Sequence, residues 1–162
     1  MSDEVDQVVE AWARERGDLV LEPLHIWSRI DRLAGILATH RKRAFSAHHI
    51  EGWEFDVLAA LRRAGRPYRL SPGQLLRETH VTSGTMTNRV DRLVARGAVT
   101  RDPDPDDGRG MLVTLTPAGL ELVDAALVSL VLLEEEALLA EWDPQDRAEM
   151  TDYLRRLLLG SA

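Results

Sequence analysis

Residues 83 to 92 hold Ser83, Thr85, Asn88 and Arg92, polar side chains of the kinds that read duplex DNA, set on one predicted helix. At about 100° per residue and with Thr85 as zero, Asn88 and Arg92 fall within roughly 60° of it. Met86, Val90 and Leu93 gather between roughly 80° and 140° and form a dry stripe. An asparagine amide matches the edge of adenine, and an arginine fork matches guanine or a phosphate. Small hydroxyls near a helix N-terminus suit phosphate oxygens. Arg89 falls at about 40°, between the stripes, where a long side chain can link the core to the wet face. An ordinary amphipathic surface helix carries the same pattern, so the flanking elements must decide.

Other chemistry is poorly represented. The chain has no cysteine, which excludes disulfides, thiolate metal sites and cysteine nucleophiles. It has no glycine-rich phosphate loop, no Gly-x-Ser-x-Gly and no His-Glu-x-x-His. An enzyme is not expected, nor a cofactor. His48 and His49 are adjacent, a poor geometry for one metal, and His25, His40 and His80 are scattered, so no metal is expected either. Trp27, Trp53 and Trp142 are read as packing residues, and Glu134 to Glu136 as a solvated or interface-flanking run.

A net charge of -7 over 162 residues speaks at first against a polyanionic partner. The distribution reverses this, because nine arginines lie between Arg62 and Arg101 against only Glu78 and Asp91. A basic segment on an acidic body is the electrostatic footprint of a phosphate-facing surface. The apolar run near Ala125 to Leu133 is far shorter than the roughly 18 to 20 residues a membrane helix requires, and no basic-plus-apolar leader opens the chain. A cytoplasmic protein without membrane contact is expected.

The elements around the polar helix follow from caps and breakers. A short helix is predicted over Asp3–Arg16, carrying Trp12, and a second from Pro23 towards His48. A third covers Trp53–Ala64 and stops at Gly65 and Pro67. Ser71-Pro72 caps a helix to about Thr79, and Thr82 caps the polar helix, which ends at Gly97, with Val81 and Met86 stapling its entry. Two β-prone runs, Val99-Thr100-Arg101 and Met111 to Leu115, flank the turn-rich segment 102–110 and read as a hairpin. Two short helices followed by a hairpin are a winged helix-turn-helix. Thr116-Pro117 then caps a long helix to about Trp142, and Asp143-Pro144 caps the last one. The long helix is apolar almost all round between Leu120 and Leu139, which demands burial on most sides and points to a homodimer. A monomeric helical core is the other solution.

These motifs resemble the MarR family of transcription regulators. The resemblance rests on Ser83-Gly84-Thr85-Met86-Thr87-Asn88-Arg89-Val90-Asp91-Arg92-Leu93, on Asp107-Gly108-Arg109 and on Leu115-Thr116-Pro117-Ala118-Gly119. It implies a mainly α fold with a small β wing: N-terminal helices over 1–50, a winged helix-turn-helix over 51–117 and C-terminal dimerisation helices over 118–162. It further implies a homodimer on a pseudo-palindromic operator in double-stranded DNA. Ser83, Thr85, Thr87, Asn88 and Arg92 would enter the major groove, with Arg109 at the wing tip. An arginine there suits a narrow minor groove, although position 108, often arginine in such wings, is Gly108 here.

A narrower likeness joins Trp12-Ala13-Arg14-Glu15-Arg16-Gly17-Asp18-Leu19, Asp56, Arg89 and Arg101 to the urate-responsive PecS/HucR branch. It implies a ligand site of Trp12, Asp56, Arg89 and Arg101 for a small anionic aromatic or purine effector such as urate. Two guanidinium groups hold a planar anion and an indole stacks on it. Asp56 would neutralise Arg89 until the ligand competes with it. In the plainer reading, Trp12 caps a dimer core and Asp56 and Arg89 form a structural pair. A repressor released by its ligand is the expectation. The alternatives are a winged-helix protein-interaction module and a structural helical oligomer.

Overall fold

The computed structural model describes residues 2–105 and 110–160. Asp107, Gly108 and Arg109, assigned to the wing tip, lie outside the described residues. The chain divides into two compact units, Met1–Arg41 and Lys42–Ala162.

In the first unit, Asp3 caps α1 (Glu4–Glu15). Its carboxylate accepts from the Val5 and Asp6 backbone N–H at 2.8 and 3.2 Å, and the Asp6 carboxylate accepts from Asp3 N–H at 2.9 Å. This reciprocal box satisfies amides that a helix start leaves without partners. α2 (Glu22–Ser46) carries Pro23 in its first turn, as predicted. From α2, Arg29 donates to Asp3 at 2.8 and 3.0 Å and to Asp6 at 2.7 Å, while Arg32 pairs with Glu4. Val5 and Val9 are buried; Val8, Trp12, Ile26, Trp27, Leu33 and Ile36 are exposed.

The second unit holds α3 (Gly52–Arg63), β1 (Arg69–Leu70), α4 (Pro72–Thr79), α5 (Ser83–Ala95), β2 (Val99–Pro103), β3 (Met111–Leu115), α6 (Pro117–Glu134) and α7 (Pro144–Gly160). The strands form an antiparallel sheet in the order β1-β3-β2, with Arg69 opposite Thr114 and Arg101 opposite Val113. The β2–β3 hairpin is the predicted wing. β1 was not anticipated, because two residues are too short to show an alternating pattern. Leu58, Leu61, Leu75, Met86, Leu93, Val113 and Val123 are fully buried in one core with Phe45, whose ring stacks on Phe55 at 4.4 Å.

The joint between wing and α6 explains the Leu115-to-Gly119 motif. The Thr116 hydroxyl donates to the Gly97 carbonyl at 2.8 Å and accepts from Gly119 N–H at 3.0 Å. A Cβ at Gly119 would sit 2.0 Å from the Ala98 carbonyl oxygen, so only glycine permits this approach. α6 buries one stripe, Gly119, Val123, Ala126 and Leu130, and exposes Leu127, Val128, Val131 and Leu132. It does not run regularly to Trp142 as expected. After Glu134 it widens into a π-type turn over Glu135–Leu139. Arg147 of α7 supplies the reason, donating to the Leu139 and Trp142 carbonyls at 2.6 and 3.0 Å and pairing with Glu135 at 2.8 Å. No helix among the described residues is long and apolar enough to cross a membrane.

Candidate nucleic-acid interface

α4 and α5 form the helix-turn-helix. The Ser71 hydroxyl accepts from Gln74 N–H, and the Gln74 side chain accepts from Ser71 N–H, so α4 starts in a reciprocal box with Pro72 just inside. It ends at His80, whose left-handed φ of 53° and N–H to the Leu76 carbonyl turn the chain towards α5. His80 thus has a backbone role. Thr82 stands at the cap position of α5 with extended backbone, but its hydroxyl meets the Thr85 hydroxyl at 2.9 Å instead of accepting from the backbone.

The two faces of α5 separate as its periodicity predicts. Met86, Val90 and Leu93 are buried, whereas Ser83, Thr85, Thr87, Asn88 and Arg92 are exposed and Arg89 is half-buried. The Thr87 hydroxyl donates back to the Ser83 carbonyl at 3.2 Å. Thr85, Asn88, Arg89 and Arg92, with Gly84, Glu51 and Trp53, line an open concavity of about 540 Å³.

Trp53 organises that concavity. The guanidinium of Arg92 lies 4.6 Å from the centre of its ring and that of Arg89 lies 5.5 Å away. The Trp53 indole N–H donates to Glu51 Oε2 at 2.7 Å, and Arg92 Nη2 donates to Glu51 Oε1 at 3.1 Å. The indole N–H, and after it the Arg92 guanidinium, hold the Glu51 carboxyl below the ordinary carboxylate range. Sequence reasoning missed both residues in this role. No local pattern marks Glu51, because its partner lies 41 positions away.

The basic segment is less positive than its count suggests. Arg62 pairs with Asp124, Arg63 with Glu78, Arg92 with Glu51, Arg96 with Glu54 and Arg101 with Asp91. Arg66, Arg69, Arg77 and Arg89 have no carboxylate partner among the described residues. Glu54 is the buried charge of this region: its carboxylate accepts from Glu51 N–H at 2.8 Å and faces Arg96, which also donates to the His49 carbonyl at 2.7 Å. Glu54 therefore ties the start of α3 to the end of α5.

The residues expected to hold a ligand are dispersed over several elements. Asp56 is half-buried on α3, Arg89 lies on α5 and Arg101 on β2, while Trp12 is exposed on α1 of the first unit. Among the described residues no hydrogen bond or ion pair joins Asp56, Arg89 and Arg101 to one another. Arg89 faces the Trp53 ring rather than Asp56, and Arg101 faces Asp91 at 3.1 Å. No group of three or more histidines or carboxylates among the described residues is arranged to hold a metal.

Comparison with known proteins places this geometry. Residues 50–110 match the model of the MarR family. The chain is 34% identical over 155 residues to the HTH-type transcriptional regulator PecS of Dickeya dadantii, covering 96% of this chain and 90% of that one. Among solved structures it is similar to a mutant MarR from E. coli complexed with operator DNA, at 27% identity and a TM-score of 0.71, covering 86% of this chain and 98% of that one. It shares its fold with a MarR family regulator from Streptomyces coelicolor in complex with DNA, at 23% identity and a TM-score of 0.75, covering 88% and 89% of the two chains.

Proposed function

Because this chain belongs to the MarR family of transcription regulators, we propose that it acts as a homodimeric repressor that a small anionic ligand releases from a pseudo-palindromic operator. One observation carries the DNA-reading part. The polar side of α5 is open to solvent along Ser83, Thr85, Thr87, Asn88 and Arg92, while its apolar side is locked in the core. A rod of this kind fits the major groove, its Asn88 amide and Arg92 guanidinium reading base edges and its first-turn hydroxyls meeting phosphates. Arg109 would reach the minor groove from the wing.

The exposed apolar side chains of α6 and α7 support the dimer. Leu127, Val128, Val131 and Leu132 on α6, with Tyr153, Leu154, Leu158 and Leu159 on α7, are exposed apolar side chains of the kind an interface covers. A second copy is the natural cover, since most soluble oligomers are symmetric homo-oligomers.

For the ligand, the proposed set is Trp12, Asp56, Arg89 and Arg101, with urate as the test compound. An anion would compete with Asp91 for Arg101 and with the Trp53 ring for Arg89. Arg89 sits on α5 itself, so its displacement bears directly on the helix that reads DNA. The decisive experiment titrates operator duplex with purified protein at several salt concentrations, then adds urate, xanthine or a phenolic carboxylate. Operator binding is expected to weaken steeply with salt and to be lost on adding one of the ligands. Salt-insensitive binding removes the DNA-reading part, and indifference to all three compounds removes the effector part.

A further inference from the structure

The Glu51 carboxylate stands on the face that this reading turns towards a polyanion. Its side chain is 62% exposed, and at that place a negative charge repels phosphates. Both of its oxygens are nevertheless engaged, one by the Trp53 indole and one by Arg92. The guanidinium of Arg92 is therefore held twice: its Cζ lies over the Trp53 ring, 4.6 Å from the ring centre, and its Nη2 is tied to Glu51 at 3.1 Å. The platform is firm, because Trp53 is half-buried and packs against the core of the second unit. Arg89 offers an internal contrast, since it lies over the same ring with no carboxylate paired to it among the described residues.

Resting on the proposed reading of Arg92 as a DNA contact, we propose that Glu51 is a specificity-determining positioning residue. It holds the Arg92 guanidinium in one orientation, so that Arg92 reads a base edge rather than any phosphate within reach. Five N–H donors on a guanidinium serve phosphates and bases equally well. A long flexible arginine gives affinity without discrimination unless its fork is fixed before contact, and a carboxylate on one edge leaves the opposite edge outward and aligned. The same carboxylate lowers the general attraction of the site for phosphate backbones. Discrimination comes from the orientation, which favours the correct base, while charge cancellation lowers binding to all duplexes alike. Arg89, unoriented, follows the backbone.

The test compares Glu51→Gln with the unmodified protein on two duplexes of equal length, an operator selected in vitro from random sequences and a random-sequence control. Glutamine preserves size and an acceptor for Trp53 but removes the charge. Binding to the control duplex is expected to tighten, with a salt dependence steeper by about one counterion. The ratio of operator to control affinity is expected to fall about tenfold, within the range one oriented base contact supplies. Adding Arg92→Ala should abolish the effect of Glu51→Gln, since nothing is left to orient. Thermal unfolding followed by circular dichroism checks that each variant folds, and Trp53→Phe, which keeps a ring but loses the indole N–H, gives an independent and smaller loss of ratio. If Glu51→Gln keeps the ratio within twofold while Arg92→Ala still weakens the operator complex, the positioning role is overturned and the DNA reading stands. If the unmodified protein shows no preference for any selected operator, the reading beneath it fails instead.

Discussion

The two units of this chain are held together by different physics. The second closes a continuous apolar core in which Leu58, Leu61, Leu75, Met86, Leu93 and Val113 are fully buried. The first buries Val5 and Val9, relies on ion pairs from Arg29 and Arg32 to the start of α1, and leaves two tryptophans and several aliphatic side chains exposed. Close packing is insensitive to pH and salt, whereas exposed ion pairs are weak and screened. The core around α3, α4, α5 and the wing is thus closed on itself, while the N-terminal helices depend on charge and, like α6 and α7, on whatever covers their exposed apolar side chains. The rigid part is dry, and of the four residues proposed for the ligand only Trp12 stands on the lightly secured first unit.

The sharpest way to break the comparison is to open the dry core. Leu93→Ala removes a fully buried side chain that anchors α5 and is expected to cost about 2 to 5 kcal/mol, read by chemical denaturation, with operator binding falling in parallel. A smaller loss would show that α5 is held by something other than its apolar stripe. Gly119→Ala forces a Cβ against the Ala98 carbonyl oxygen. Overpacking of this kind costs about 1 to 3 kcal/mol, and an unchanged melting temperature would show that α6 can move off the wing without penalty.

Arg92→Ala leaves both units folded and tests the wet face alone. The operator complex is expected to weaken by about 1 to 3 kcal/mol if a base contact is lost. An equal effect on operator and random duplex would reassign Arg92 to the phosphates.

Acid separates the units next. The carboxyls of Asp3 and Asp6 lie below the ordinary range. For Asp3 the Arg29 guanidinium acts most strongly, and for Asp6 the Asp3 backbone N–H does, with Arg29 after it. A lowered native pKa stabilises at pH above the unfolded value, about 4, and the gain is lost as pH falls through the native values. The protection of α1 amides, taken relative to intrinsic exchange at each pH, should therefore fall below about pH 4, before that of α3 does. Simultaneous loss in both helices would deny the contrast. Trp12→Phe is the mildest change: operator affinity should stay unaltered while the response to urate declines, and a protein that no longer dimerises would make Trp12 structural.

Much of the winged unit is legible in the chain because its signals are short-range. Ser71-Pro72, Thr116-Pro117 and Asp143 mark helix starts through hydrogen bonds to residues two or three positions on, and those bonds are present. The dry stripe of α5 follows from helical spacing alone. The charge count misled in magnitude, since five of nine arginines in the basic segment meet carboxylates that no window of sequence aligns with them. The Glu51–Trp53–Arg92 cluster was invisible for the same reason.

Residue order by itself determined where helices begin, which side of α5 is wet and that a hairpin follows it, because backbone geometry, caps and side-chain periodicity act within a few residues. Only the folded chain decided that Arg92 rests on Trp53 beside Glu51, that a two-residue strand pairs with β3, and that Arg147 widens the end of α6. Those choices depend on groups brought together across tens of residues, and such meetings are set by packing rather than by neighbours along the chain.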